Sequence, residues 1–171
     1  ALYLSLQTTV PDLNTALSQL LQIAEKNGDT VSVDQPLPIA YDENKGFYFI
    51  PTYDIGYSEI RFYNFLAEVY GTSRAYLTDE QKKATAEEVY IQMRTKTFRL
   101  DESYSREEAL AILRLRYAIF VARAEEKTEL CLIQGVSEQT KIEVLERSTD
   151  FPGFSVKEQY TRVYPQGDLF A

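Results

Sequence analysis

The groups that could carry out chemistry in this chain are carboxylates, lysines, arginines, tyrosines and one thiol, Cys131, because its 171 residues include no histidine. Histidine is the usual general base near neutral pH and the commonest metal ligand. Its absence removes most hydrolase triads and most zinc, iron and copper sites. With no imidazole to activate it, Cys131 is expected to be a small buried residue of a strand at Glu129–Gln134.

Three arginines interrupt the most apolar helical stretch of the sequence: Arg114, Arg116 and Arg123. At about 100° per residue, Arg116 and Arg123 share one helix face, and Arg114 lies about 160° from Arg116. A guanidinium group that emerges from an apolar helix needs a carboxylate or phosphate partner. The three residues are therefore a possible anion-binding site. The alternative is structural pairing with the acidic side chains of this chain.

Carboxylates are plentiful, with 26 Asp and Glu against 18 Lys and Arg. A paired-acid hydrolase or a magnesium enzyme needs two or three of them to converge in a cleft, and sequence spacing does not show such convergence. The chain has only 7 glycines and no phosphate-binding glycine loop. We therefore predict no metal, no cofactor and no catalytic residue. A carboxylate- and Mg-dependent enzyme remains an alternative.

The C-terminal tail, residues 165–171, ends in Gln166, Gly167, Asp168, Leu169 and Phe170. A glutamine that bonds a pocket rim and a Leu-Phe pair that fills the pocket are suited to peptide docking. The segment resembles the short peptide by which bacterial replication and repair proteins bind the β sliding clamp, with Gly167 at a position usually held by leucine. This resemblance implies a DNA replication or repair accessory protein tethered to a clamp. The other interpretation is a tail that packs on this protein or on a sister subunit.

Tyrosine is unusually frequent, with 13 Tyr beside 9 Phe and no Trp. Tyrosine has an apolar ring and a polar tip, which suits surfaces that become buried in a complex. The rings could also line a core or a sheet edge. For partner binding, the candidates are Tyr160, Tyr164, Gln166, Asp168, Leu169 and Phe170.

The overall composition of the chain restricts its expected binding partners and its expected cellular compartment. The net charge of −8 makes nucleic acid an unlikely general ligand. A single cysteine predicts a reducing, cytoplasmic environment, and no apolar run is long enough to predict a membrane span. The expected partners are proteins of a homo- or hetero-oligomeric assembly.

The N-terminal third predicts a strand, a helix and a hairpin. Alternating leucines predict a strand over 2–9, and helical spacing predicts a helix from Leu13 to the Asn27-Gly28 stop. A possible short strand at Thr30–Val33 follows. A hairpin with strands at 39–41 and 47–50 comes next.

The middle and the end of the chain predict helices and then strands. We expect helices over Tyr57–Tyr70, from Thr78 to about Met93, and a central buried helix over 106–124, with Thr95–Leu100 a possible strand. After them, Glu129–Gln134 and Lys141–Glu146 are expected to form a hairpin, and Phe154–Tyr164 an edge strand.

Together these patterns predict an α+β fold: a single domain over 1–164, with a mixed or antiparallel sheet from both chain ends packed by about four helices. We expect a non-catalytic structural or adaptor subunit that docks into a larger assembly through tyrosine-rich surfaces and its tail.

Overall fold

A computed structural model of the chain describes residues 1–158, and the fold is α+β, as the sequence predicts. Its strands are β1 (Leu2–Ser5), β2 (Ile39–Asp42), β3 (Gly46–Phe49), β4 (Glu129–Ile133) and β5 (Phe154–Val156). Its α-helices are α1 (Leu13–Asn27), α2 (Glu59–Tyr70), α3 (Asp79–Lys82), α4 (Ala86–Gln92), α5 (Arg106–Ala124) and α6 (Glu138–Glu146).

The main sheet joins strands from both ends of the described chain. Strand β1 lies in the centre and pairs antiparallel with β4 on one side and β5 on the other. Leu2 and Leu4 of β1 are fully buried, whereas Tyr3 and Ser5 on the opposite face are half-buried. The predicted antiparallel sheet and its alternating pattern are confirmed.

Helix α5 is the central helix of the domain, as expected. Leu113 and Tyr117 belong to one hydrophobic core, formed with α2, α4 and the β2–β3 hairpin. Leu115 and Ile119 belong to a second core, formed with α1, α6 and the main sheet. Because apolar residues occupy several sides of α5, the helix contributes to both cores.

The prediction that Lys141–Glu146 forms the second strand of a C-terminal hairpin is wrong. Residues 141–146 belong to helix α6, and only the first half of that hairpin is a strand, β4. The alternation of Ile142 and Val144 in sequence imitates a strand. Ser137 caps the helix by accepting a hydrogen bond from the Thr140 amide, and Val144 packs into the second core.

Two other boundaries differ from the predictions. The stretch after Thr78 forms two helices, because a second capping box, Thr85 with Glu88, starts α4 after α3 has ended. The possible strand Thr95–Leu100 is instead a π-helical turn over Met93–Thr97 and its exit, where the Thr97 hydroxyl donates to the Val69 carbonyl at 2.6 Å.

Three predicted strands are shorter than expected or absent. The strand predicted over 2–9 ends at Ser5. Thr30–Val33 forms no strand, although the Ser32 amide donates to the Leu132 carbonyl at 2.9 Å. The strand predicted from Phe154 ends at Val156, and the residues from 159 onward lie outside the described part of the chain.

Candidate protein interface

The structure places Arg116 and Arg123 on one face of α5, beside a cleft of about 510 Å³. The Arg116 guanidinium lies 4.9 Å from the ring centroid of Phe98 and donates a hydrogen bond to the side-chain oxygen of Asn14. Burial lowers the pKa of Arg116 below its ordinary value, and the positive charge of Arg123 lowers it further. Arg99, which the sequence did not single out, lines the same cleft.

Arg114 lies apart from this cleft, on the other side of α5. It lines a different cleft together with Tyr41, Glu43 and Arg106. The Arg106 guanidinium there lies 3.6 Å from the ring centroid of Tyr41. The structure therefore brings two of the three predicted arginines together and replaces the third by Arg99.

The tyrosines divide between core and surface. Tyr57, Tyr90 and Tyr117 are buried, whereas Tyr53 and Tyr76 are 82% and 80% exposed. The Tyr57 hydroxyl donates to the carbonyl of Pro36 at 2.7 Å, so this ring is part of the packing. Tyrosine excess alone therefore does not distinguish core from contact surface.

The predicted partner-binding residues of the C-terminal segment lie outside the described residues. They are Tyr160, Tyr164, Gln166, Asp168, Leu169 and Phe170. Their role, the clamp-peptide interpretation included, stays a prediction.

The outer face of α6 carries two exposed apolar side chains. Ile142 and Leu145 are 43% and 54% exposed and stand three residues apart, whereas Thr140 and Val144 on the inner face are buried. Leu145 also lines a groove of about 380 Å³ whose walls include Val136 and Val156. This helix is therefore apolar on its core side and carries a second apolar pair toward solvent.

Hydrogen bonds from the end of α1 fix the position of α6. The carboxylate of Asp29 accepts bonds from the backbone N–H and the hydroxyl of Ser137. The side-chain amide of Asn27 donates to Thr140 Oγ1 at 3.1 Å and to Glu143 Oε2 at 2.6 Å. These contacts fix α6 against the end of α1.

Comparison with known families agrees with an interaction surface. The family described as Penicillin-binding Protein dimerisation domain matches residues 6–171. The chain belongs to this family. A search of curated proteins finds no match to the chain. The dimerisation domain is a non-catalytic module for protein–protein interaction, which agrees with the general class of function expected from the sequence.

Among residues 1–158 of the dimerisation domain, no three His, Cys, Asp or Glu side chains gather as a metal site. Cys131 lies in strand β4, as predicted, but it is half-buried and not buried as expected. Burial raises the pKa of its thiol. In the same part of the chain, no helix combines the length and the apolar content that a membrane span requires.

Two buried polar atoms of the dimerisation domain, one on Tyr117 and one on Arg61, are unsatisfied among the described residues. The Tyr117 hydroxyl and the Arg61 Nη2 atom are buried and have no hydrogen-bond partner among the described residues. The Arg61 guanidinium lies 5.6 Å from the Tyr117 ring centroid. Burial raises the pKa of the Tyr117 phenol above its ordinary value, and the negative charge of Glu68 raises it further.

Proposed function

We propose that this chain is a docking module that pairs with a second copy of itself through the outer face of α6. Membership of a dimerisation-domain family supports self-association. The observation that carries the choice of surface is the exposed pair Ile142 and Leu145. The proposal assigns no catalytic residue to this chain.

The charges around the pair suit a two-fold interface. Lys141 and Glu138 flank the apolar pair and already form an ion pair with each other, Nζ to Oε1 2.9 Å. In a two-fold interface the same patch meets itself, so an apolar centre with an internally neutralised rim is self-complementary. Burial of this apolar centre would favour association, because each square ångström of apolar surface removed from water contributes about 25 cal/mol to the free energy of association.

The exposed tyrosines and the tail are secondary contacts in this proposal. Tyr53 and Tyr76 present almost their whole rings to solvent. The residues Gln166–Phe170 add a peptide with a Leu-Phe pair that can fill an apolar pocket. The exposed tyrosines and the C-terminal peptide are both consistent with a subunit that takes part in a larger assembly.

Sedimentation velocity over a range of protein concentrations tests the proposal. We expect the wild-type chain to show a monomer–dimer equilibrium, and Ile142→Glu to shift it toward monomer by about tenfold or more, because a charge would have to be buried at the interface. The matched control is Ile91→Glu, since Ile91 is 49% exposed on α4, which belongs to the other core.

Two outcomes contradict the proposal. A wild-type chain that stays monomeric at the highest concentration reached would exclude self-association. An equal loss of dimer in Ile142→Glu and Ile91→Glu would exclude α6 as the contact surface. Circular dichroism of each variant checks that the fold is intact.

A further inference from the structure

The cleft beside α5 contains positive charge that the described residues do not neutralise. Arg99, Arg116 and Arg123 all line it, and none has a carboxylate oxygen within 4.0 Å among residues 1–158. Asp12 lines the same cleft, but its oxygens accept hydrogen bonds from the amide and the hydroxyl of Thr15. The cleft therefore has three positive charges and one negative charge.

The grouping of three arginines around one cleft distinguishes this place in an acidic chain, with 26 acidic and 18 basic residues. Among residues 1–158, Arg61 and Arg147 are the arginines that have a carboxylate oxygen within 4.0 Å, so the lack of an ion pair alone does not single out the cleft. Arg116 is also half-buried, so its guanidinium has lost part of its water shell, and among residues 1–158 it gains in return the neutral Asn14 oxygen and the Phe98 ring. A partly dehydrated guanidinium without an anion is an incomplete pair.

Asn14 organises the cleft. Its Nδ2 donates to the Phe98 carbonyl at 2.8 Å and to the Arg99 carbonyl at 3.4 Å, while its Oδ1 accepts from Arg116. Arg99 has a left-handed backbone, φ 49°, which is strained for any residue with a Cβ. One side chain thus holds both the strained turn that carries Arg99 and the guanidinium of Arg116.

An exposed aromatic ring lies on the same face of α5 as Arg116 and Arg123. It lines a small neighbouring pocket with Phe98, which also lines the arginine cleft. Phe120 is 41% exposed, and it follows Arg116 by four residues and precedes Arg123 by three. At about 100° per residue, the three side chains lie within about 60° of one another around α5. Arginine and aromatic side chains, phenylalanine included, are enriched at protein interfaces.

A second copy of this chain does not fit the cleft face to face. In a two-fold interface the same patch meets itself, and here three arginines would meet three arginines. Like charges placed opposite each other oppose association. The apolar face of α6 has no such conflict, so the two surfaces suit different partners.

We propose that the cleft formed by Arg99, Arg116 and Arg123, with Phe120 at its edge, docks an acidic segment of a different protein. The carboxylates of that segment pair with the guanidinium groups, and an apolar side chain between them packs on the Phe120 ring. This proposal does not depend on self-association of the chain through α6.

Fluorescence anisotropy with a labelled peptide, Asp-Glu-Leu-Asp-Glu, tests the proposal on the whole chain. We expect saturable binding that weakens as salt rises from about 0.05 to about 0.5 M, because screening shortens the reach of the charges. The peptide Asn-Gln-Leu-Asn-Gln, of equal size but without side-chain charge, should not bind. Equal binding of both peptides would overturn the proposal.

Charge reversal locates the site. Arg123→Glu should weaken binding of the acidic peptide by about tenfold or more, and Arg99→Glu, in an exposed loop, provides a second variant should the first fail to fold. The matched control is Arg114→Glu, because it makes the same charge change on the same helix outside the cleft. An equal loss in the Arg114 variant would show a general effect of net charge and overturn the site.

Three further measurements define the occupant. Phe120→Ala should weaken peptide binding several-fold, and an unchanged affinity would overturn the role of the ring. Sedimentation of Arg123→Glu should give the same self-association as wild type. A weakened dimer would instead assign the cleft to a second copy. Binding of inorganic phosphate, measured by calorimetry, without any peptide binding would assign it to a small oxyanion, and either result would overturn the proposal.

Discussion

The carboxylate of Asp29 accepts a hydrogen bond from the hydroxyl of Ser137, Oδ2 to Oγ 2.8 Å, and so joins the end of α1 to the first turn of α6. Ser137 also caps α6 through the Thr140 amide. A negative charge at this position is favourable because the first turn of a helix presents unpaired N–H groups. The orientation of the proposed self-association face thus depends on a residue that lies just beyond the end of another helix.

Replacing Asp29 by Asn should destabilise the domain by about 1 kcal/mol at neutral pH, because charge-assisted bonds to Ser137 become neutral ones and the site is only half-buried. Urea unfolding measures the change. The control is Asp34→Asn, since Asp34 is exposed and accepts no side-chain hydrogen bond from the described residues. Equal loss in the two variants would contradict the assigned role.

The contribution of Asp29 to the free energy of unfolding should also depend on pH. Burial raises the pKa of this carboxyl, but hydrogen bonds from the side chains of Thr140 and Ser137 and from the Ser137 backbone outweigh burial, and its net pKa lies below the ordinary 3.8. The stabilisation is therefore fully present above the unfolded pKa and is lost as the pH falls through the lower folded pKa. The stability difference between wild type and Asp29→Asn should shrink over that acidic range, and a constant difference would contradict the prediction.

Tyr117→Phe should leave stability unchanged or raise it by about 1 kcal/mol, because the variant removes a buried hydroxyl that has no partner among the described residues. Tyr57→Phe makes the same chemical change, yet it should destabilise by about 1 kcal/mol, since that hydroxyl donates to Pro36 and accepts from Gln35. Thermal unfolding of both variants checks the contrast. A larger loss in Tyr117→Phe would show that its hydroxyl is hydrogen-bonded.

Leu113→Ala should cost about 2–5 kcal/mol, because Leu113 is fully buried on the helix that both cores share and the substitution leaves a cavity. Ile91→Ala, at a site 49% exposed, should cost far less. Chemical denaturation monitored by circular dichroism gives both values. Comparable losses would contradict the central position of α5.

Local sequence patterns predict an element correctly where the contacts that define it are between residues near in sequence. Helix α1 has its cap at Asp12 and its stop at Gly28, and α5 has a capping box at Ser105 and Glu108, so their bounds follow from neighbouring residues. The hairpin of β2 and β3 follows for the same reason, because five residues around its turn set the register.

The break between α3 and α4 and the start of α6 have local caps, at Thr85 and Ser137, that the sequence prediction did not use. Long-range contacts contribute to two other features that the sequence did not predict. The position of helix α6 depends on Asp29, more than a hundred positions earlier, whereas the residues of the helix alternate as in a strand. Arg99 enters the arginine cleft only because the π-helical turn before it and Asn14 hold its backbone in a left-handed conformation. Neither relationship leaves a periodic signal in the sequence.

The pairing of β1 bears on the kinetics of folding. Tyr3 is opposite Cys131 and Ser155, both far along the chain, so the sheet is built entirely from non-local contacts. Closing such large loops is entropically expensive before any strand pairing compensates for it, and domains of high contact order fold slowly. Until β4 and β5 arrive, the edges of β1 stay unpaired, and the nascent domain is most prone to aggregation in that interval.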